Sequence, residues 1–177
     1  IGIPVANRGH KDLESLIGFF VNTIVSRIQF KGEETIQELF NKVQEELIQN
    51  QQNQDIPFDQ IVDAVQPERE TSMTPIFQTM VNYVKMEEDL RLGDTDISIE
   101  ALEYDKVKFD LSFDFVETID ENILLTLAYN TDIYSESTAT RLLNSVEYIL
   151  SALVLESNTQ LKTFSVLSIE EEQQVLN

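Results

Sequence analysis

Residues 109–115 read Phe-Asp-Leu-Ser-Phe-Asp-Phe, an unbroken alternation of apolar Phe109, Leu111, Phe113 and Phe115 with polar Asp110, Ser112 and Asp114. Successive side chains of a strand point to opposite faces, so this run predicts a strand whose apolar set is core and whose polar set meets water or a cavity. A sheet is needed around it, and the other segments must pair with it or cover it. Ile123 to Tyr129 is the nearest partner, joined through a turn at Asp120-Glu121-Asn122. Phe77 to Val84 and Ile97 to Tyr104 supply further strands, separated by an acidic, Gly-containing connection from Glu87 to Asp96. Earlier in the chain, Ile17 to Ile28 is dominated by β-branched and aromatic residues at both alternate sets of positions, which predicts a strand buried on both faces.

Three segments carry helical spacing instead. From Thr35, apolar Ile36, Leu39, Phe40, Val43, Leu47 and Ile48 recur along one stripe, and Thr35 with Glu38 forms a capping-box signature. This helix of about four turns runs out in the polar stretch Gln49 to Gln54. Pro57 restarts a short amphipathic helix through Phe58, Ile61, Val62 and Val65, which Pro67 is placed to stop and Asp55 to cap. A long helix carries Leu142, Leu143, Val146, Ile149, Leu150, Leu153 and Val154, with Ser135 and Ser137 as cap candidates. Strand, helices, several strands, helix: the order reads as α+β with helices against one sheet.

Composition narrows the function. The chain has 177 residues, 42% hydrophobic and 25% charged, a single domain long enough to bury a core. Its net charge of −20 repels a phosphate backbone, which argues against nucleic-acid binding. No apolar run reaches the ~18 residues of a membrane span, and no basic, apolar leader opens the chain, so it reads as soluble and without a signal peptide. The absence of cysteine removes disulfides, thiolate metal sites and cysteine nucleophiles, and fits the cytosol. The start at Ile1, without Met and in an apolar stretch, reads as cut from something longer.

Catalytic chemistry is hard to find among these residues. The one histidine, His10, lies in the polar loop Asn7 to Asp12 and reads as exposed, with no nucleophile beside it. Asp89 to Glu100 has the length of a calcium loop, but Arg91, Gly93 and Asp94 spoil its ligand pattern. Adjacent carboxylates such as Glu45/Glu46 and Glu87/Glu88 read as a solvated face in so acidic a chain. Polar residues set among apolar ones stand out more. Asn22, inside Phe19-Phe20-Val21-Asn22-Thr23-Ile24, must either bond the sheet or face a wet channel, and Arg27 and Asp55 raise the same question.

The ordered motifs add a resemblance. Gly2-Ile3-Pro4-Val5-Ala6-Asn7-Arg8, then Ile17-Gly18-Phe19-Phe20-Val21-Asn22-Thr23 with Arg27, resembles a stretch shared by condensation domains of nonribosomal peptide synthetases. Asn53-Gln54-Asp55-Ile56-Pro57-Phe58-Asp59 is similar to their His-Gln-Asp-x-Pro-Phe-Glu motif, with Asn53 where His is usual. Arg69-Glu70-Thr71-Ser72-Met73-Thr74-Pro75-Ile76-Phe77-Gln78 resembles Arg-Asp-x-Ser-Arg-Asn-Pro-Leu with its Phe-Gln continuation; Glu70, Met73, Thr74 and Ile76 depart from it. Lys108-Phe109-Asp110-Leu111, Tyr129-Asn130-Thr131-Asp132-Ile133-Tyr134 and the tail Leu167-Ser168-Ile169-Glu170-Glu171-Glu172 are similar to later family markers, the tail to a linker toward an adenylation domain.

The resemblance implies a chloramphenicol-acetyltransferase-like two-layer α+β sandwich in which residues 1–165 are the C-terminal lobe of a two-lobed domain and 166–177 begin the linker. It implies a tunnel between the lobes where phosphopantetheine arms of two carrier proteins meet, no cofactor bound directly, and amide formation from a donor thioester and an acceptor amine. The family's His-His-x-x-x-Asp-Gly motif is absent from these residues, so the lobe alone is expected to be inactive. Asn22, Arg27, Asn53, Gln54, Asp55, Pro57, Phe58, Arg69 and Ser112 are the tunnel or motif residues that the resemblance implies. Asn22 and the Asn53 to Phe58 loop are expected on the side facing the other lobe. Implied partners are the N-terminal lobe, peptidyl carrier domains and an adjacent adenylation domain, with no nucleic acid or membrane, in the cytoplasm. Other readings are a noncatalytic carrier- or domain-docking module, or an epimerisation or heterocyclisation relative.

Overall fold

The computed structural model describes residues 1–67, 73–86 and 106–167. Its elements are β1 (Gly2–Val5), β2 (Asn22–Val25), α1 (Ile36–Gln52), α2 (Phe58–Val65), β3 (Thr79–Lys85), β4 (Leu111–Glu117), β5 (Ile123–Tyr129) and α3 (Glu136–Leu155), with short 3-10 turns at Lys11–Leu13 and Leu161–Thr163. The five strands form one mixed sheet in the order β2-β1-β3-β4-β5. β1 runs parallel to β3 and β3 parallel to β4, while β2 and β5 are antiparallel to their neighbours. Consecutive β4 and β5 meet as a hairpin from Leu111 opposite Tyr129 to Glu117 opposite Ile123. Its turn places Glu121 at φ 61°, and the backbone and hydroxyl of Thr118 bond Asn122 across it.

The alternating run lands in the middle of this sheet, with two differences. The strand begins at Leu111, so Phe109 precedes it, and every residue from Phe109 to Glu117 is half-buried, the apolar and polar sets alike. The helices explain this: α1 and α2 pack on the outer strand β2 and α3 on the outer strand β5.

The expected strand from Ile17 to Ile28, buried on both faces, is corrected. Only Asn22–Val25 pairs, because its partner β1 offers four residues and the chain leaves it through Asn7 at φ 50°. Arg27 thus lies beyond the strand and is exposed. Ile17 and Phe19 are almost wholly exposed, at 105% and 93%, and Val21 at 53%. Arg8 organises the approach: its guanidinium donates to the carbonyls of Leu13 and Leu16 and lies 4.4 Å from the centre of the Phe20 ring.

Helix boundaries follow the cap chemistry. Thr35 and Glu38 form a reciprocal capping box on α1, and the Ser135 hydroxyl accepts the Thr138 N–H at the start of α3, leaving Ser137 within the helix. α2 ends at Gln66, whose left-handed φ of 47° turns the chain before Pro67. On α3 the expected apolar stripe is only partly covered, since Leu150 and Val154 are exposed. Among the described residues the buried apolar side chains are Ile24, Ile36, Phe77, Met80 and Ala139. Phe77 is central: its ring meets Phe58 edge-on at 5.5 Å and Phe109 at 5.3 Å. The strand expected at Ile97 to Tyr104, the calcium-loop-like segment and most of the tail lie outside the described residues.

Candidate functional site

The structure gathers part of the candidate set around one amide. Asn22 opens β2 at the sheet edge, and its Nδ2 donates to the carbonyls of Gln54 and Ile56, both at 2.7 Å. Its Oδ1 accepts the Phe58 N–H at 3.3 Å. A half-buried amide in an apolar segment needs partners, and here the 53–58 loop supplies them. Asn53 stands beside this contact as the C-cap that follows α1, exposed, with its own Nδ2 on the Gln49 carbonyl. Gln54 and Phe58 are half-buried, whereas Asp55 and Pro57 are exposed. Asp55 does not cap α2: the N-cap position is Pro57, without a side-chain bond, and Asn22 satisfies the first N–H instead.

Arg27 and Ser112 are not part of this group. Arg27 follows the opposite end of β2 from Asn22, and its backbone N–H donates to Glu46. Ser112 lies on β4, three strands from β2 and roughly 14 Å away at ordinary strand spacing. There its hydroxyl is 3.5 Å from Asp114, which also accepts from Asn82 Nδ2 at 3.0 Å. Arg69 falls outside the described residues.

Sequence reasoning passed over several residues. Glu46, read as part of a solvated face, accepts from buried Ser26 and from the Arg27 N–H, joining α1 to the end of β2. Its position one turn before the polar end of α1 held no signal for that. Asn82 shares a sheet face with Ser112 and Asp114 only because β3 and β4 run parallel in one register. Ile76 adopts φ 73°, with the Phe77 N–H on the Pro75 carbonyl at 2.9 Å, a tight turn that strains a β-branched residue. It aims Phe77 into the aromatic cluster.

Electrostatics outside this group centre on Glu117. The Lys85 ammonium and then the Tyr83 hydroxyl, both bonded to its carboxylate, hold it below the usual carboxylate range. The same bonds push Lys85 and Tyr83 up. These three sit at the end of β3 and β4, where Tyr83 and Lys85 are exposed. Around Asn22 the only ionisable side chain of the 53–58 loop is Asp55; the rest are amides, apolar groups and backbone. Such a set holds a loop and lines a surface. Among the described residues no group of three or more His, Cys, Asp or Glu could hold a metal ion.

The comparison with known families decides what this frame is. The family model described as Condensation domain matches residues 1–176. The chain belongs to the condensation-domain family. Similar proteins include Malpibaldin synthetase of Mortierella alpina, 39% identical over 177 residues that make up 99% of this chain and 3% of that protein. Gramicidin S synthase 2 of Brevibacillus brevis is 32% identical over 99% of this chain and 4% of its own length. In solved structures the fold matches a holo four-domain nonribosomal peptide synthetase bound to AMP and glycine, with TM-score 0.83, 23% identity, 97% of this chain and 14% of that one. It also matches the X-domain from teicoplanin biosynthesis, with TM-score 0.78 and 23% identity over 94% of this chain and 39% of that chain. This condensation-domain chain is thus a small part of the proteins it resembles, and the architecture is the expected α+β lobe, among the described residues one mixed sheet with three helices.

The relatives named are synthetases, and amide-bond formation is the general function of the family. Among its described residues no helix is long and apolar enough to cross a membrane.

Proposed function

We propose that these residues are the C-terminal lobe of a condensation domain that joins a carrier-bound donor acyl or peptidyl thioester to a carrier-bound acceptor amine. The amine nitrogen attacks the thioester carbonyl, the C–S bond breaks, and the amine proton leaves with the donor carrier's thiol. The observation that carries this reading is the family match across residues 1–176. The proton-handling group is assigned to the His-His-x-x-x-Asp-Gly motif, which needs a titratable nitrogen near the amine; His10 does not stand in for it, since it caps the 3-10 turn through the Asp12 N–H in an exposed loop.

This reading makes the rest of the condensation domain the first partner. Ile17, Phe19 and Val21 present apolar side chains to solvent directly before Asn22, a strip that the described residues leave uncovered and that the rest of the domain would cover. Carrier proteins bring the phosphopantetheine arms, no cofactor is bound directly, an adenylation domain follows the linker, and the setting is the cytoplasm. The test is single-turnover assay of the intact domain with preloaded donor and acceptor carriers. Dipeptidyl carrier is expected from the intact domain and none above the uncatalysed level from residues 1–177 alone. Product from the short chain would overturn the lobe assignment; an intact domain that binds carriers without making product would establish a docking module instead.

A further inference from the structure

α2 begins at a residue that cannot cap it. Pro57 offers no side-chain acceptor, and a helix leaves its first N–H groups without internal partners. The Phe58 N–H is taken by Asn22 Oδ1, from 36 residues earlier in the chain and from another element. The same carboxamide donates both hydrogens of Nδ2 to the carbonyls of Gln54 and Ile56. Its orientation is determined by its partners: a flipped amide would set donors against an N–H and an oxygen against two carbonyls. Ser or Thr has one hydrogen to give, and Asp none when ionised, so a short side chain that meets all three backbone groups has to be Asn.

The turn is held from its other side as well. The ring of Phe58 meets buried Phe77 at 5.5 Å, and Phe77 is aimed there by the strained Ile76. Residues 54–58 are thus tied to β2 by three polar contacts and to the turn that leads into β3 by an aromatic one. We propose that Asn22 is a positioning residue that caps α2 from the sheet edge and so sets the Gln54–Phe58 turn in the conformation the amide-forming reaction uses. This deepens the condensation reading and rests on it.

The test uses the intact domain with its carriers and compares Asn22→Ala and Asn22→Asp with wild type. Amide hydrogen exchange at Phe58 is read beside exchange at Phe113 in β4 and single-turnover product formation. Asn22→Ala is expected to speed exchange at Phe58 roughly five- to tenfold, the scale of a lost helix cap, with Phe113 unchanged and product formation reduced by a comparable factor. Asn22→Asp keeps the acceptor and loses both donors, so Phe58 is expected to stay protected while product formation still falls. Unchanged exchange at Phe58 in Asn22→Ala overturns the cap, and so does acceleration that extends equally to Phe113. Local acceleration with full turnover in both variants overturns the positioning role. Should Asn22→Ala not fold, Asn22→Asp alone decides the role by its turnover. A wild-type domain that makes no product while Asn22→Ala still loosens Phe58 leaves the cap standing and sinks the condensation reading.

Discussion

Gly2 shows how one missing side chain shapes the core. A Cβ built there would come within 2.3 Å of two ring carbons of Phe77. That ring is 4% exposed and wedged between Phe58 and Phe109, so it has nowhere to move. Gly2→Ala is therefore expected to destabilise by about 1–3 kcal/mol, as overpacked cores do, with chemical denaturation as the readout. Van der Waals overlap is the cause, and relief by Phe77→Leu in the double variant would confirm it. Glycine at this position was readable as part of a motif, while its reason, a ring arriving from 75 residues away, was not.

Elements here are held by caps and by contacts between neighbouring strands. Ser135→Ala removes the side chain that accepts the Thr138 N–H, and about 1 kcal/mol of stability should go with it, measured by thermal melting. Between β3 and β4 the Glu117 carboxylate joins Lys85 and Tyr83. Its pKa is lowered from 4.5 in the fold, so its contribution is present above that value and is lost as pH falls through the lower, folded pKa. Glu117→Gln should accordingly show a shallower decline of melting temperature on acidification below that value than wild type does. Equal slopes would show the trio to be fully screened by water. The caps at Thr35 and Ser135 were legible because capping is local in sequence. The true cap of α2 was not, and Asp55, the local candidate, proved to be exposed and unused.

As a whole, the molecule leaves apolar surface that its own described elements do not cover. Phe19, 93% exposed, is the clearest case. Phe19→Asp in the 177-residue chain should shift stability by no more than about 0.5 kcal/mol, because an exposed site loses nothing. In the intact domain the same change should lower both the melting temperature and product formation, since a charge would be buried against the other lobe. A loss in the short chain of the size seen in the intact domain would show that Phe19 packs within this lobe.

Periodicity and local caps were sufficient for the α+β class, the β4–β5 hairpin and its turn, α1 with its capping box, and α3. These depend on residues within one or two turns or one strand of each other. The ordered motifs carried the family, which residues 1–176 matched. Strand length was another matter: the β-rich run from Ile17 promised twelve residues of sheet, and the four of β1 allowed four. Nor did the alternation at 109–115 reveal that helices would settle on the outer strands and leave β4 half-covered on both faces. The three bonds of Asn22, the aromatic contact of Phe58 with Phe77 and the Glu46 link to Ser26 join residues 19 to 36 positions apart. Such contacts follow from which strand lies at the edge and which loop crosses it, and no local pattern encodes them.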